Sequence, residues 1–281
     1  MARPRRIPTG FLDDHRRGRW QTTVDLSALS VCDVSGSDRR GDNDTVLTPL
    51  DNPVVAAANG PQRDLTQWQG SAVRYLPDVS PFAGFADPHA ALDPHASAWA
   101  DLAELIGPGS SAALPWMPDA DPADVLPDGW SIGWSMPGVQ MVDTLAADRM
   151  VDPHAVRLTT DDVPAMLDLV ALTRPGPFLD RTIDLGRYHG VWADGTLIAM
   201  AGERMHAPGF REISAICTHP DHRGRGLAAR LTATVAAGIQ ADGETPFLHA
   251  SASNVGAVRL YERLGFRLRR RLRFISLVSP E

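Results

Sequence analysis

The chain has 281 residues, of which 43% are hydrophobic and 22% charged, a composition typical of a soluble globular protein with one large domain or two ordinary ones. No apolar run approaches the roughly 18 residues of a membrane-spanning helix. The basic start MARPRRIPTG lacks the apolar region of a secretory signal, so we expect a cytoplasmic protein. The formal net charge is −7, and residues 46–145 hold 2 arginines against 12 acidic residues, which argues against a general polyanion binder.

Residues 1–45 have little apolar periodicity and mix Arg, Asp, Ser and Gly. This composition predicts a disordered extension, with a translation start near Val46 as an alternative. A nucleic-acid modifier guided by this arginine-rich tail is a further hypothesis. It would bind nucleic acid in a salt-sensitive manner and lose that binding when the tail is deleted.

The sequence of residues 46–145 predicts a small α/β half. It contains no cluster of residues that indicates a catalytic or binding site. The apolar spacing in 97–107 indicates a short amphipathic helix that ends at Gly107. Residues 129–142 resemble strand material broken at Pro137-Gly138.

The two cysteines, Cys32 and Cys217, form no metal-binding or disulfide pattern, and we expect no metal.

Residues 146–281 show a sharper pattern, with Thr160 as a candidate helix cap and a hairpin turn at 193–195. The predicted elements, in chain order, are a strand (155–159), a helix (160–173), a hairpin (188–205), a strand (211–220), a helix (224–239), a strand (246–251), a helix (254–266) and a strand (267–278). The order predicts a mixed α/β sandwich.

The stretch CTHPDHRGRGLAARL joins the end of a buried strand to the first turn of a helix. Gly224 and Gly226 allow close approach of the backbone, and the helix start supplies unpaired N–H groups that favour a bound pyrophosphate. A turn without a ligand, and an RNA-binding basic patch, are the alternatives. The patch is disfavoured because the stretch is a single copy within regular structure.

A second motif, NVGAVRLYERLGF, predicts a helix with Asn254 as its N-cap and Gly265 as its stop. Asn254 and Tyr261 are seven residues apart, so both side chains leave the same helix face. Together with the preceding loop, this motif resembles the GNAT superfamily of acyl-CoA-dependent N-acyltransferases over residues 155–281. It is most similar to the glycine N-acyltransferase-like branch, in which a degenerate first half precedes the catalytic half.

The resemblance implies a GNAT fold, a central and mostly antiparallel sheet with helices on both faces, after a smaller N-terminal half at 46–145. It also implies acetyl-CoA, or another short acyl-CoA, as co-substrate. Tyr261 would lie near the CoA sulfur, where a protonated phenol can supply the proton that the leaving thiolate needs. The residues implied to hold CoA are Ile216, Cys217 and Thr218 at the strand end, Arg223, Gly224, Arg225, Gly226, Leu227 and Ala228 in the loop, and Asn254.

The general base is open. Glu212 resembles the glutamate of histone acetyltransferases in the superfamily, while a structural ion pair with Arg204 or Arg211 is equally compatible with the sequence. His249 is the second candidate and water the third. Cys217 could act as a nucleophile, although a small core residue is the favoured interpretation.

We therefore predict an N-acyltransferase in which an amine attacks the thioester directly within a ternary complex. The acceptor is a small-molecule or peptide amine, and the protein is a monomer or a homodimer. The alternative is a non-catalytic acyl-CoA sensor or scaffold. For the arginines of 267–273 we favour a solvated strand face over a contact with the CoA 3′-phosphate or an acidic substrate.

Overall fold

The computed structural model describes residues 48–116, 120–145, 149 and 151–281. The predicted extension at 1–45 lies outside these residues. The helices are α1 (Pro53–Ala58), α2 (Ser97–Ile106), α3 (Val163–Thr173), α4 (Leu227–Ala241) and α5 (Val255–Arg263). The strands are β1 (Thr66–Gln69), β2 (Ala72–Tyr75), β3 (Ala83–Phe85), β4 (Ser111–Trp116), β5 (Ser131–Asp143), β6 (Val156–Leu158), β7 (Tyr188–Ala193), β8 (Thr196–Ala207), β9 (Phe210–Thr218), β10 (Thr245–Ser251) and β11 (Phe266–Val278).

Eight of these strands form one sheet in the order β4-β11-β5-β10-β9-β8-β7-β6. Within the described residues, β9 and β10 are the parallel pair of this sheet, and its other neighbours are antiparallel. The strands β1, β2 and β3 form a second, three-stranded sheet. The predicted mostly antiparallel α/β fold is confirmed.

Helices cover both faces of the large sheet, as β10 illustrates. Leu248 packs in an apolar cluster with Leu231 and Val235 of α4, whereas Phe247 packs in a different cluster with Val54 of α1. Adjacent residues of a strand point to opposite faces, so α1 and α4 lie on opposite sides. Each fully buried aliphatic or aromatic side chain of this kind contributes about 1.5–3 kcal/mol.

The large sheet draws strands from both sides of the proposed boundary at residue 146. The strands β4 and β5 precede it in sequence, and β5 pairs with both β10 and β11. The division into a half at 46–145 and a catalytic domain at 146–281 stays a prediction. Among the described residues, no helix combines the length and apolar character needed to cross a bilayer.

Two local predictions were wrong. The strand β5 runs unbroken through Pro137, whose carbonyl accepts the Ala252 N–H at 2.9 Å. Proline fits there because its missing N–H falls beyond the end of β10 rather than on the side of β11. Thr160 is not a cap: it lies in a short 3-10 turn at 160–162 that leads into α3, and Thr159 caps this turn through a capping box with Asp162.

Candidate functional site

The strands β9 and β10 pair for only part of their length. Their parallel register runs from Phe210 opposite Thr245 to Ile213 opposite Leu248. Beyond Ile213, β9 continues to Thr218 with a partner on the side of β8 only. Ala215 has a φ of 51°, and the register with β8 shifts around it, as a bulge would cause.

We call the opening between residues 214–218 of β9 and 249–251 of β10 the fork. Ile216, Cys217 and Thr218, which the resemblance assigned to CoA, form its β9 side. In the described part of the chain no strand covers this edge of β9. An extended ligand with amide groups can therefore pair with the strand as an added strand would.

The start of α4 faces open space. Gly226 is its N-cap with a φ of 75°, and no side chain of the described residues caps the helix. Gly224 has a φ of 77°, and a Cβ added at either glycine would meet no atom of the described residues within 4 Å. Both residues need the left-handed conformation that glycine adopts without strain. The first N–H groups of a helix, together with its dipole, favour an anion at this position.

The three arginines in the loop and the first turn of α4 differ in their bonding. Arg223 and Arg225 are exposed and reach backbone carbonyl groups only at 3.4 and 3.5 Å. Arg230 instead donates to the buried carboxylate of Asp152 at 2.8 Å. Two arginines can therefore turn toward an anionic ligand, while Arg230 anchors α4.

Two buried polar atoms near the loop have no hydrogen-bond partner among the described residues, Thr218 Oγ1 and His222 Nδ1. A buried polar atom without a partner costs about 1–3 kcal/mol. A polar ligand at the fork could satisfy them. The sequence did not indicate either atom, because whether a side-chain atom finds a hydrogen-bond partner depends on where the side chain points in the fold.

Tyr261 lies on α5 and is part of the core that α4 covers. It belongs to the same apolar cluster as Leu227 and Leu231, and only 6% of its surface is exposed. Burial raises the pKa of this phenol to about 12, so it holds its proton at neutral pH.

Asn254 is exposed, and its side-chain oxygen accepts the Ala257 N–H at 3.1 Å, which confirms the predicted N-cap. Its amide nitrogen is left available to a ligand.

Glu212 is fully buried in the paired half of β9. Arg204 donates to both of its carboxylate oxygens, at 2.8 Å from Nε and 2.5 Å from a terminal nitrogen. His249 Nδ1 lies 2.7 Å from Oε1. Burial alone would raise the pKa of Glu212, but Arg204 and then His249 outweigh it and lower the pKa to about 2.

The imidazole of His249 is engaged at both nitrogens. Arg269 donates to Gln140 Oε1 at 2.8 Å, which leaves the Gln140 amide nitrogen to donate to Leu50 O and to His249 Nε2. His249 then accepts at Nε2 and donates from Nδ1 to Glu212. A general base needs a lone pair that the substrate can reach, and neither side chain offers one here. Glu212 as base stays a prediction that this geometry does not favour.

The side chain of Cys217 lies in the apolar core on the side of α3. Its side chain is 6% exposed and packs with Met166 and Leu169 of α3. Burial raises the pKa of the thiol to about 11, so the thiolate that a covalent mechanism needs is scarce at neutral pH. This supports the favoured interpretation of Cys217 as a core residue whose backbone alone borders the fork.

The arginines of 267–273 are not uniformly solvated. Arg269 donates to Asp51 at 2.7 Å as well as to Gln140, so it ties β11 to the turn before α1. The interpretation as a solvated face was wrong for Arg269.

Among the described residues, no group of three or more His, Cys, Asp and Glu side chains could hold a metal ion.

Comparison with known proteins gives consistent matches. The model of the FR47-like protein family matches residues 188–275. A crystal structure from Novosphingobium aromaticivorans DSM 12444, assigned as an acetyltransferase from the GNAT family, is 41% identical with a TM-score of 0.74, over 83% of this chain and all of that one. A GCN5-related N-acetyltransferase from Kribbella flavida, 19% identical with a TM-score of 0.52 over 82% of this chain and 96% of that chain, is similar in fold.

One curated relative matches a shorter stretch. The mycothiol acetyltransferase of Mycobacterium avium (strain 104) is 37% identical over 82 residues. The match covers 26% of this chain and 26% of that protein, so it spans about a quarter of the relative.

Proposed function

Because the chain belongs to the GNAT family of acetyltransferases, we propose that it transfers an acetyl group from acetyl-CoA to an amine within a ternary complex. The observation that carries this proposal is the fork between β9 and β10 beside the uncapped start of α4. The fork supplies strand edges for the amide-containing part of CoA, and the helix start supplies donors for its pyrophosphate.

Acetyl-CoA supplies the acyl group already activated as a thioester. The backbone N–H groups from Gly224 to Ala228 would bind the pyrophosphate, and Ile216 to Thr218 would orient the adjoining chain. Backbone N–H groups at the end of β9 can also polarise the thioester oxygen. Asn254 would contribute its free amide nitrogen.

Tyr261 is the proposed proton donor to the departing sulfur. Its pKa of about 12 keeps the phenol protonated at neutral pH, and its burial strengthens the hydrogen bond that it can donate. The chain needs no nucleophile of its own, because an aligned amine reacts with a thioester directly. For the proton of the amine, water is the remaining acceptor of the three considered, since Glu212 and His249 are saturated with hydrogen bonds.

The test is release of free thiol when the protein is mixed with acetyl-CoA and a panel of amines, with the acetylated product identified by mass. Glycine belongs in the panel because the resemblance favoured the glycine N-acyltransferase-like branch. Acetyl-CoA binding without thiol release on any amine would favour a sensor or scaffold instead. Longer acyl-CoA donors in the same assay define the acyl preference.

A further inference from the structure

Half of β5 has a free edge. The strand pairs with β11 along its whole length, from Ser131 opposite Val278 to Asp143 opposite Phe266. On its other side, β10 pairs only with residues 138–142. Within the part of the chain that the structure describes, no strand pairs with this side of residues 131–136. We call these six residues the open edge.

The atoms that the open edge presents follow from Pro137. Its carbonyl accepts the Ala252 N–H and therefore points to the side of β10. In an antiparallel sheet the N–H and C=O of one residue point to the same side, and those of the next residue to the opposite side. Ser135 therefore directs its N–H and C=O to the open edge. An extended peptide is the ligand that matches such a pair of backbone groups.

The side chains beside this edge also favour a peptide. Residues two apart in a strand share a face, so the even-numbered residues from Trp134 to Gln140 lie on one side. Gln140 is directly opposite His249 in β10. Trp134 and Met136 are each 37% exposed, although large apolar side chains are usually buried. They provide apolar contacts for alternate side chains of an added strand.

The open edge leads to the fork. The strand β10 ends at Ser251, opposite Gly138, and the chain then turns away into α5. A strand paired with residues 131–136 would continue the line that β10 leaves. When it runs in the direction of β10, its amino terminus is the end nearest to Ser251, on the rim of the fork.

We propose that the open edge binds the acceptor, an extended peptide whose free α-amine reaches the fork; this inference rests on the proposed function. The amine nitrogen forms a bond to the acetyl carbon while the carbon–sulfur bond breaks. The sulfur leaves with the bonding electrons and takes up a proton, and the nitrogen loses one. The products are an N-acetylated peptide and CoA.

A second copy of the chain is the competing occupant of the open edge. Stable dimers bury about 800 Å² on each partner, and a six-residue edge with two partly exposed apolar side chains offers less area than that. A short peptide needs only this length, since six residues of strand extend about 20 Å.

The experiment compares a hexapeptide with the dipeptide of its first two residues, both with free amino termini and with apolar residues at alternate positions of the hexapeptide. Two backbone hydrogen bonds and the apolar contacts should raise kcat/KM for the hexapeptide about tenfold over the dipeptide. Ser135→Pro removes the free N–H and should bring this ratio close to one. Ser135→Ala, which keeps the N–H and loses only the hydroxyl, should retain the tenfold ratio.

Hydrogen exchange on the unaltered protein gives a second measurement that does not depend on a variant folding. The hexapeptide should slow exchange of the Ser135 amide, and the dipeptide should not. Equal kcat/KM for the two peptides, or a Ser135→Pro variant that keeps the preference, would overturn the peptide site while transfer to the dipeptide leaves the proposed function intact.

Two other outcomes count against the proposal. Self-association that Ser135→Pro abolishes, with no slowing of exchange by the hexapeptide, would assign the open edge to a second copy. Thiol release on no amine at all would overturn both the peptide site and the proposed function.

Discussion

The two halves of β9 differ in their strand pairing and in the charge that they bury. Residues 210–213 are paired on both sides, and Glu212 there is fully buried in an ion pair. Residues 214–218 are paired with β8 only, include a bulge at Ala215 and border the fork. We call residues 210–213 the closed half of β9 and residues 214–218 its open half.

The closed half is held by residues that are distant in sequence. The Arg204 guanidinium lies 4.8 Å from the centre of the Phe82 ring while it binds Glu212. Tyr75 is also fully buried, and the negative charge of Glu212 adds to the burial that raises the pKa of its phenol. Tyr75 and Phe82, which both precede β4 in sequence, thus lie beside the buried ion pair of the closed half.

The largest effect is expected from breaking the closed half. Arg204→Met leaves the Glu212 carboxylate buried with its charge uncompensated, which should lower the free energy of unfolding by about 3–5 kcal/mol. Urea denaturation measures the change. Arg181→Met is the control, because its pairs with Asp78 and Asp184 lie at the surface and its loss should move the midpoint little. Equal shifts in the two variants would contradict the division of β9.

The next effect concerns Tyr261, the proposed proton donor. Tyr261→Phe should lower kcat about 100-fold, because the departing sulfur loses its proton donor, with the affinity for acetyl-CoA nearly unchanged. Tyr188→Phe is the matched control, since its buried hydroxyl has no partner among the described residues. An unchanged kcat in Tyr261→Phe would remove this residue from the acid role.

A smaller effect tests the start of α4. Gly226→Asp and Gly226→Asn impose similar backbone strain at a φ of 75°, and both side chains extend into open space. They differ in charge, so the aspartate variant should bind acetyl-CoA about tenfold more weakly than the asparagine variant. Titration calorimetry measures both dissociation constants. Equal affinities would show that no phosphate lies near Gly226.

Local features of the candidate site were predictable from the sequence. The N-cap Asn254 and the stop at Gly265, with its φ of 92°, follow from short-range rules and are confirmed. Gly224 and Gly226 were predicted to allow close approach of the backbone to a ligand, and both have a left-handed φ that glycine adopts without strain. These signals lie within a few residues of the structure that they specify.

The long-range contacts of the large sheet were not predictable in the same way. The bond between Arg269 and Asp51 joins residues 218 positions apart, and no local pattern records such a contact. The insertion of β5 between β10 and β11 is equally non-local. Pro137 misled the strand prediction because its tolerance depends on which side of β5 lacks a partner.

The smallest effect is a pH dependence that originates in the closed half. The pKa of Glu212 is about 2 in the folded protein and 4.5 in its ordinary state, so the unfolded chain binds the proton first. Its stabilising contribution is complete above pH 4.5 and is lost as the pH falls toward 2. Between pH 7 and pH 4 this loss amounts to about 1 kcal/mol.

Glu212→Gln isolates this contribution, because the amide does not titrate. The variant should be less stable at neutral pH, since Arg204 loses its charged partner, yet its free energy of unfolding should fall less steeply between pH 5 and pH 3. Urea denaturation at each pH gives the two slopes. Parallel slopes would mean that Glu212 keeps an ordinary pKa in the folded protein, and a carboxylate of that kind would again be a candidate for the general base.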